Sequence, residues 1–256
     1  MSNRFGADNN RSSQLNTDNP RRNRSLPIAA IGGAILLFAG TWLHPMQADP
    51  NVPLAVFIEY AADRNWVASH LMQLSGVALM VTALVLLSRI MAGGTAHAAA
   101  YLGSCGAIAS LAVASALQAV DGVALKSMVS AWAAAPAHEK KMLFSAAFAV
   151  RQIEIGLASM TALLSGWTIS IYGIALLRDL RFPKLLGMVG VAGGVATAIA
   201  GVVMAYTGFS DLAMDINLPA NSLVLCWMIA LGVYVWRKPK RLMSTSDDIG
   251  ASAFPE

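Results

Sequence analysis

Apolar residues run along this chain in six long stretches, and polar residues gather in the segments between them. The stretches fall at about 27–44, 66–90, 98–120, 145–177, 185–208 and 218–236. A hydrocarbon core about 30 Å thick takes roughly 20 helical residues to cross, so each stretch predicts a membrane-spanning helix. The expected fold is all-α: a six-helix transmembrane bundle over residues 26–236, with tails at 1–25 and 237–256. The first tail is polar, without an apolar period, and is read as a disordered basic cytoplasmic segment. Its Arg21, Arg22 and Arg24 precede the first apolar stretch as in a signal peptide. That stretch is longer than a usual signal core and five more follow, so a retained helix is expected.

Two connections are too long to be turns. Residues 45–65 contain PLAVFIEYAADR, where Leu54, Phe57, Ile58 and Ala61 recur at helical spacing. This predicts a short amphipathic helix lying on the membrane surface. Residues 121–144 carry GVALKSMVSAW and then the polar AHEKK. With its lead-in, the fourth helix exceeds what a bilayer needs, and its first turns are expected to project outward or tilt.

Composition agrees with this pattern. Of 256 residues, 56% are hydrophobic and 12% charged, which leaves too little charge for a soluble domain's surface. The net charge of +4 does not point to nucleic acid, because the basic residues are divided among short segments. They read instead as a topology signal. One set comprises five Arg in the amino tail, then Arg89, Arg178, Arg181, Lys184, Arg237, Lys238, Lys240 and Arg241. The other holds Arg64, Lys126, Lys140, Lys141 and Arg151. The larger set belongs inside, which predicts both termini in the cytoplasm of a cell whose plasma (inner) membrane holds the bundle. Trp42, Trp66 and Trp236 lie at helix ends, as interfacial anchors do, whereas Trp227 is mid-helix. Cys105 and Cys226 lie in different spans at different depths, and are read as small buried apolar side chains without a disulfide.

Ionisable groups inside membrane segments are costly, and here they gather at one level. Gly103, Gly106, Ser110, Ala114, Gln118 and Asp121 follow one another at steps of three and four on helix three. Arg151, Glu154, Ala158, Thr161, Ser165 and Thr168 do so on helix four. Helix two carries Ser69, Gln73 and Gly76 in line, with His70 adjoining, and His44 ends helix one at the same level. Small residues turn toward neighbouring helices, so the charges beside them point into the bundle. The candidate site is therefore an outer-leaflet polar cluster of His70, Gln73, Gln118, Asp121, Arg151 and Glu154, open to a small molecule or lipid. The same groups also fit a plain packing role, with Arg151 and Glu154 as an intrahelical pair.

Other chemistry has little support in the spacing. There is no phosphate-binding glycine loop, HExxH or GxSxG. His44 and His70 share a level, but His97 and His138 fall in connections on opposite sides, a poor arrangement for bis-His haem. A zinc site from His44, His70 and Asp121, joined by His138, has no local ligand spacing behind it. No cofactor and no metal are assigned. Gly190-x-x-x-Gly194 predicts a close helix contact, within the bundle or between subunits.

The stretch SGWTISIYGIALLRDLRFPKLLGMVGVAGGVATAIAGVV has a helix ending in Leu-Leu-Arg, a basic loop with Pro183, then Leu186-Gly187 and a Gly/Ala-rich helix. With the six-helix layout, residues 27–236 resemble uncharacterised six-helix bacterial membrane proteins grouped as a domain of unknown function. That resemblance implies fold and location and brings no catalytic residues. The function expected is a multipass membrane protein acting as scaffold, sensor or accessory subunit. The alternative is a membrane enzyme or small-molecule carrier using the polar cluster.

Overall fold

The computed structural model describes residues 24–92 and 94–238. The two expected tails therefore lie outside the described residues, except for Arg24, Ser25, Arg237 and Lys238 at the helix ends. Among the described residues, eight α-helices follow in order. They are α1 (Ser25–Leu43), α2 (Pro53–Ala62), α3 (Trp66–Ile90), α4 (His97–Gln118), α5 (Lys126–Ala134), α6 (Ala137–Arg178), α7 (Lys184–Thr207) and α8 (Asp211–Arg237). A π-helical segment, Ala119–Leu125, joins α4 to α5 without a break. Six rods are long and apolar enough to cross a membrane: α1, α3, the continuous His97–Ala134, α6, α7 and α8. No strand occurs among the described residues. The chain is thus all-α and of the multipass membrane class.

Three boundaries differ from expectation. Helix three does not stop at 120 but widens into the π turn and runs on to Ala134. Its extension is held by a second apolar core, in which Val56, Phe57, Tyr60, Trp66, Leu125, Val129, Trp132 and Ala147 pack together. The fourth span starts at Ala137, and its 42 residues rise about 63 Å, roughly twice a hydrocarbon core. α8 starts at Asp211 rather than 218, because Ser210 caps it: its hydroxyl accepts the Ala213 N–H at 3.3 Å. Pro219 lies inside this helix instead of opening it. Just before the cap, Gly208 ends α7 with φ +63°, a conformation that suits glycine.

Glycine seams join the spans in pairs. A β-carbon on Gly33 would stand 2.7 Å from the Gly76 carbonyl oxygen, and one on Gly40 equally close to that of Ser69. α6 and α7 meet in the same way, through Gly166 and Gly173 on one side and Gly187, Gly194 and Gly201 on the other. The Gly194 contact is therefore within the bundle. Gly190 makes room for Trp227, whose indole N–H donates to the Leu186 carbonyl at 2.8 Å. This accounts for a tryptophan at mid-span.

Arg24 lies over the Trp236 ring, so the described ends of the chain share one end of the bundle. There Arg181 is buried against Asp179 at 2.7 Å and donates to the Ile90 carbonyl. Cys105 and Cys226 are free, but both are exposed on the outside of the bundle rather than buried as expected.

Candidate functional site

The opposite end is roofed by α2. This helix forms as expected, with Pro53 at its start, but it does not simply lie on a lipid surface. Val56, Phe57 and Tyr60 are buried against protein, while Leu54 and Ile58 are exposed. Two cations from other helices hold it. Lys126 donates to the carbonyls of Tyr60, Ala61 and Asp63 at 2.6, 2.9 and 2.7 Å, satisfying the last turn of α2. Arg151 donates to the Pro50 carbonyl at 3.1 Å and to the Tyr60 hydroxyl at 3.3 Å. Its guanidinium also faces the Phe209 ring from the α7–α8 connection.

The six expected site residues form three pairs. Gln118 donates to the Gln73 side-chain oxygen at 3.2 Å. One helical step nearer the roof, His70 Nε2 lies 2.9 Å from Asp121 Oδ2. Arg151 and Glu154 pair at 3.3 Å, both almost completely buried. Both are thus turned inward and not to bulk water. The expected small-residue face of helix three is also present: Gly103 lies against the Tyr172 ring and Gly106 against Thr168 of α6.

Four features go beyond the pattern read from the sequence. The π segment places Asp121 opposite His70, and π turns often mark functional positions. Gly122 lets this segment approach α3, since a β-carbon there would meet the His70 Cβ at 2.7 Å. Trp66 is no interfacial anchor: it is fully buried, and its indole donates to the Asp121 carbonyl at 3.0 Å. Lys126 belongs to the site as well, and its signal is a lone charge in the apolar run GVALKSMV, where the cost of burial singles it out. Trp42 and Trp236 are exposed, as anchors should be.

His44 closes the cluster. It follows the last turn of α1, and its ring lies 4.6 Å from Trp66 and 5.1 Å from His70 between centroids. Ligand atoms from His44, His70 and Asp121 all lie within 4.8 Å of one another, so these three residues are of a type and spacing that could hold a metal. His138 does not join them; it pairs with Glu139 on the exposed start of α6. Burial holds the His44 ring below its ordinary pKa, against the pull of Asp121. Burial also pushes the Tyr60 hydroxyl up to about 12, against the pull of Arg151, so Tyr60 stays protonated at neutral pH.

The fold and this roofed cluster define an all-α multipass membrane protein. Comparison with family models, with curated proteins and with solved structures returned no match.

Proposed function

We propose that this is a plasma (inner) membrane protein with both termini cytoplasmic, acting as a ligand-responsive sensor or accessory subunit. A small ligand is held at the outer-leaflet level beneath α2, and α2 reports its presence. The observation that carries this reading is the clasp on α2. Arg151 and Lys126, from two other helices, bond its backbone and the loop before it, and its Tyr60 ring packs 4.0 Å from Trp66, which holds the Asp121 carbonyl beside His70. α2 is a ten-residue cover held by this polar clasp and by its buried Val56, Phe57 and Tyr60, and covers over ligands are drawn from the less stable units of a fold. The alternative is a membrane enzyme or carrier on the same cluster, and the π turn that presents Asp121 favours it. A carrier of the inverted-repeat kind would need a matching broken helix in its other half.

The orientation rests on the distribution of Lys and Arg. Reporter fusions after residues 50, 130 and 212 should read as outside and those after 94 and 181 as inside; a reversal removes the topology. For the cover, hydrogen exchange in nanodiscs is expected to show α2 amides opening more readily than those of α3. Lys126→Met should raise α2 exchange about tenfold to a hundredfold, the equivalent of losing charged hydrogen bonds worth about 1.5–3 kcal/mol. If α2 is as protected as α3, the cover does not open and the sensor reading fails.

A further inference from the structure

We propose that His44, His70 and Asp121 form a binding site for a divalent first-row transition metal ion of the zinc type. This rests on the reading of a ligand held beneath α2 and names that ligand.

The positions of the ring protons come first. A carbonyl oxygen only accepts, so a ring nitrogen beside one must carry hydrogen. His70 Nδ1 lies 2.7 Å from the Trp66 carbonyl, and His44 Nδ1 lies 2.8 Å from the Pro45 carbonyl. Both neutral rings therefore present a bare Nε2 lone pair. Fixing Nδ1 on a backbone carbonyl is the usual way a protein orients a metal-binding histidine. His70 Nε2 then faces Asp121 Oδ2 at 2.9 Å, two acceptors in contact. Something positive must stand between them, either a proton or a cation. The second Asp121 oxygen, Oδ1, is buried and has no hydrogen-bond partner.

The third ligand discriminates between the two. A proton shared by His70 and Asp121 makes no use of the His44 Nε2 lone pair. A cation uses all three, because one ring nitrogen of each histidine and one Asp121 oxygen lie within 4.8 Å of one another. Ligand atoms on a tetrahedral zinc ion are about 3.3 Å apart, so closure needs a movement of at most about 1.5 Å. His44, just beyond the end of α1, is placed to make it. Two imidazoles and one carboxylate suit zinc and its neighbours better than calcium or magnesium, and three protein ligands leave one coordination position open.

The test uses the full-length chain, purified through a tag without histidine, stripped with chelator and dialysed against zinc or cobalt(II) ions. Wild type should retain one metal per chain and show the visible absorption of low-coordinate cobalt(II). Asp121→Asn supplies a side-chain N–H donor for His70 Nε2, so the fold is kept while the charge is lost. His44→Ala removes the half-buried ligand at the helix end. Each should weaken zinc binding by about tenfold or more, since even outer partners of a metal ligand carry that much. The proposal is overturned if wild type retains no more metal than a variant carrying both His44→Ala and Asp121→Asn, or if the cobalt spectrum is unchanged by both substitutions. The α2 exchange experiment contains no metal, so an opening cover in a protein that binds no metal would sink this inference alone. A cover that never opens would sink the sensor reading, whatever the metal content.

Discussion

Arg151→Met is expected to destabilise the protein by about 3–5 kcal/mol, the cost of leaving a buried charge without its partner. Glu154 is buried beside Arg151, and the guanidinium also serves Tyr60 and Pro50. The loss should appear in the unfolding free energy in mixed micelles and in faster exchange of α2. Arg151→Met combined with Glu154→Gln should recover much of the loss, because the isolated carboxylate is then gone. Lys141→Met, at an exposed position, is the control and should stay within about 0.5 kcal/mol. An Arg151 variant as stable as that control would show that the pair carries no structural weight.

Gly194→Val is expected to force the α6–α7 seam apart and destabilise the membrane-spanning region. The β-carbon would come 2.5 Å from Ser170 Oγ and 2.6 Å from the Gly166 carbonyl oxygen. The second of these is backbone and cannot rotate away. Overpacking of this kind costs typically about 1–3 kcal/mol, and a value at the upper end is expected where two helices must part. The measurement is a melting curve in detergent. Gly156→Ala is the comparison, since nothing lies within 4 Å of its added carbon and no loss is expected. If the two variants melt alike, the α6–α7 seam is not tightly packed.

Much of the fold is legible in the sequence because membrane spans are local. An apolar run long enough to cross a bilayer is a property of consecutive residues, and the stretch 66–90 coincides with the observed α3, Trp66–Ile90. The polar face of helix three is legible for a related reason: residues three and four apart share a helix face whatever the helix packs against. Gly103 and Gly106 on that face mark it as the side toward α6. The apolar stripe of α2 misleads, because exposed Leu54 and Ile58 look the same in sequence as buried Val56 and Phe57. Hydrophobicity records that a side chain avoids water, not whether lipid or protein replaces it.

By itself, the amino-acid order determined six apolar helices, the level at which their ionisable side chains gather, and which of those share a face. Only the tertiary structure decided the pairing. His70 and Asp121 are 51 residues apart, and no periodicity within either helix says that they meet. Their contact depends on a π turn that shifts Asp121, on Gly122 allowing close approach, and on Trp66 holding the Asp121 carbonyl. Lys126 and Arg151 likewise found their partners in α2 and its flanking loop, because backbone carbonyls carry no sequence signature. Periodicity is set by the geometry of one helix, whereas a site is set by where several helices end beside one another.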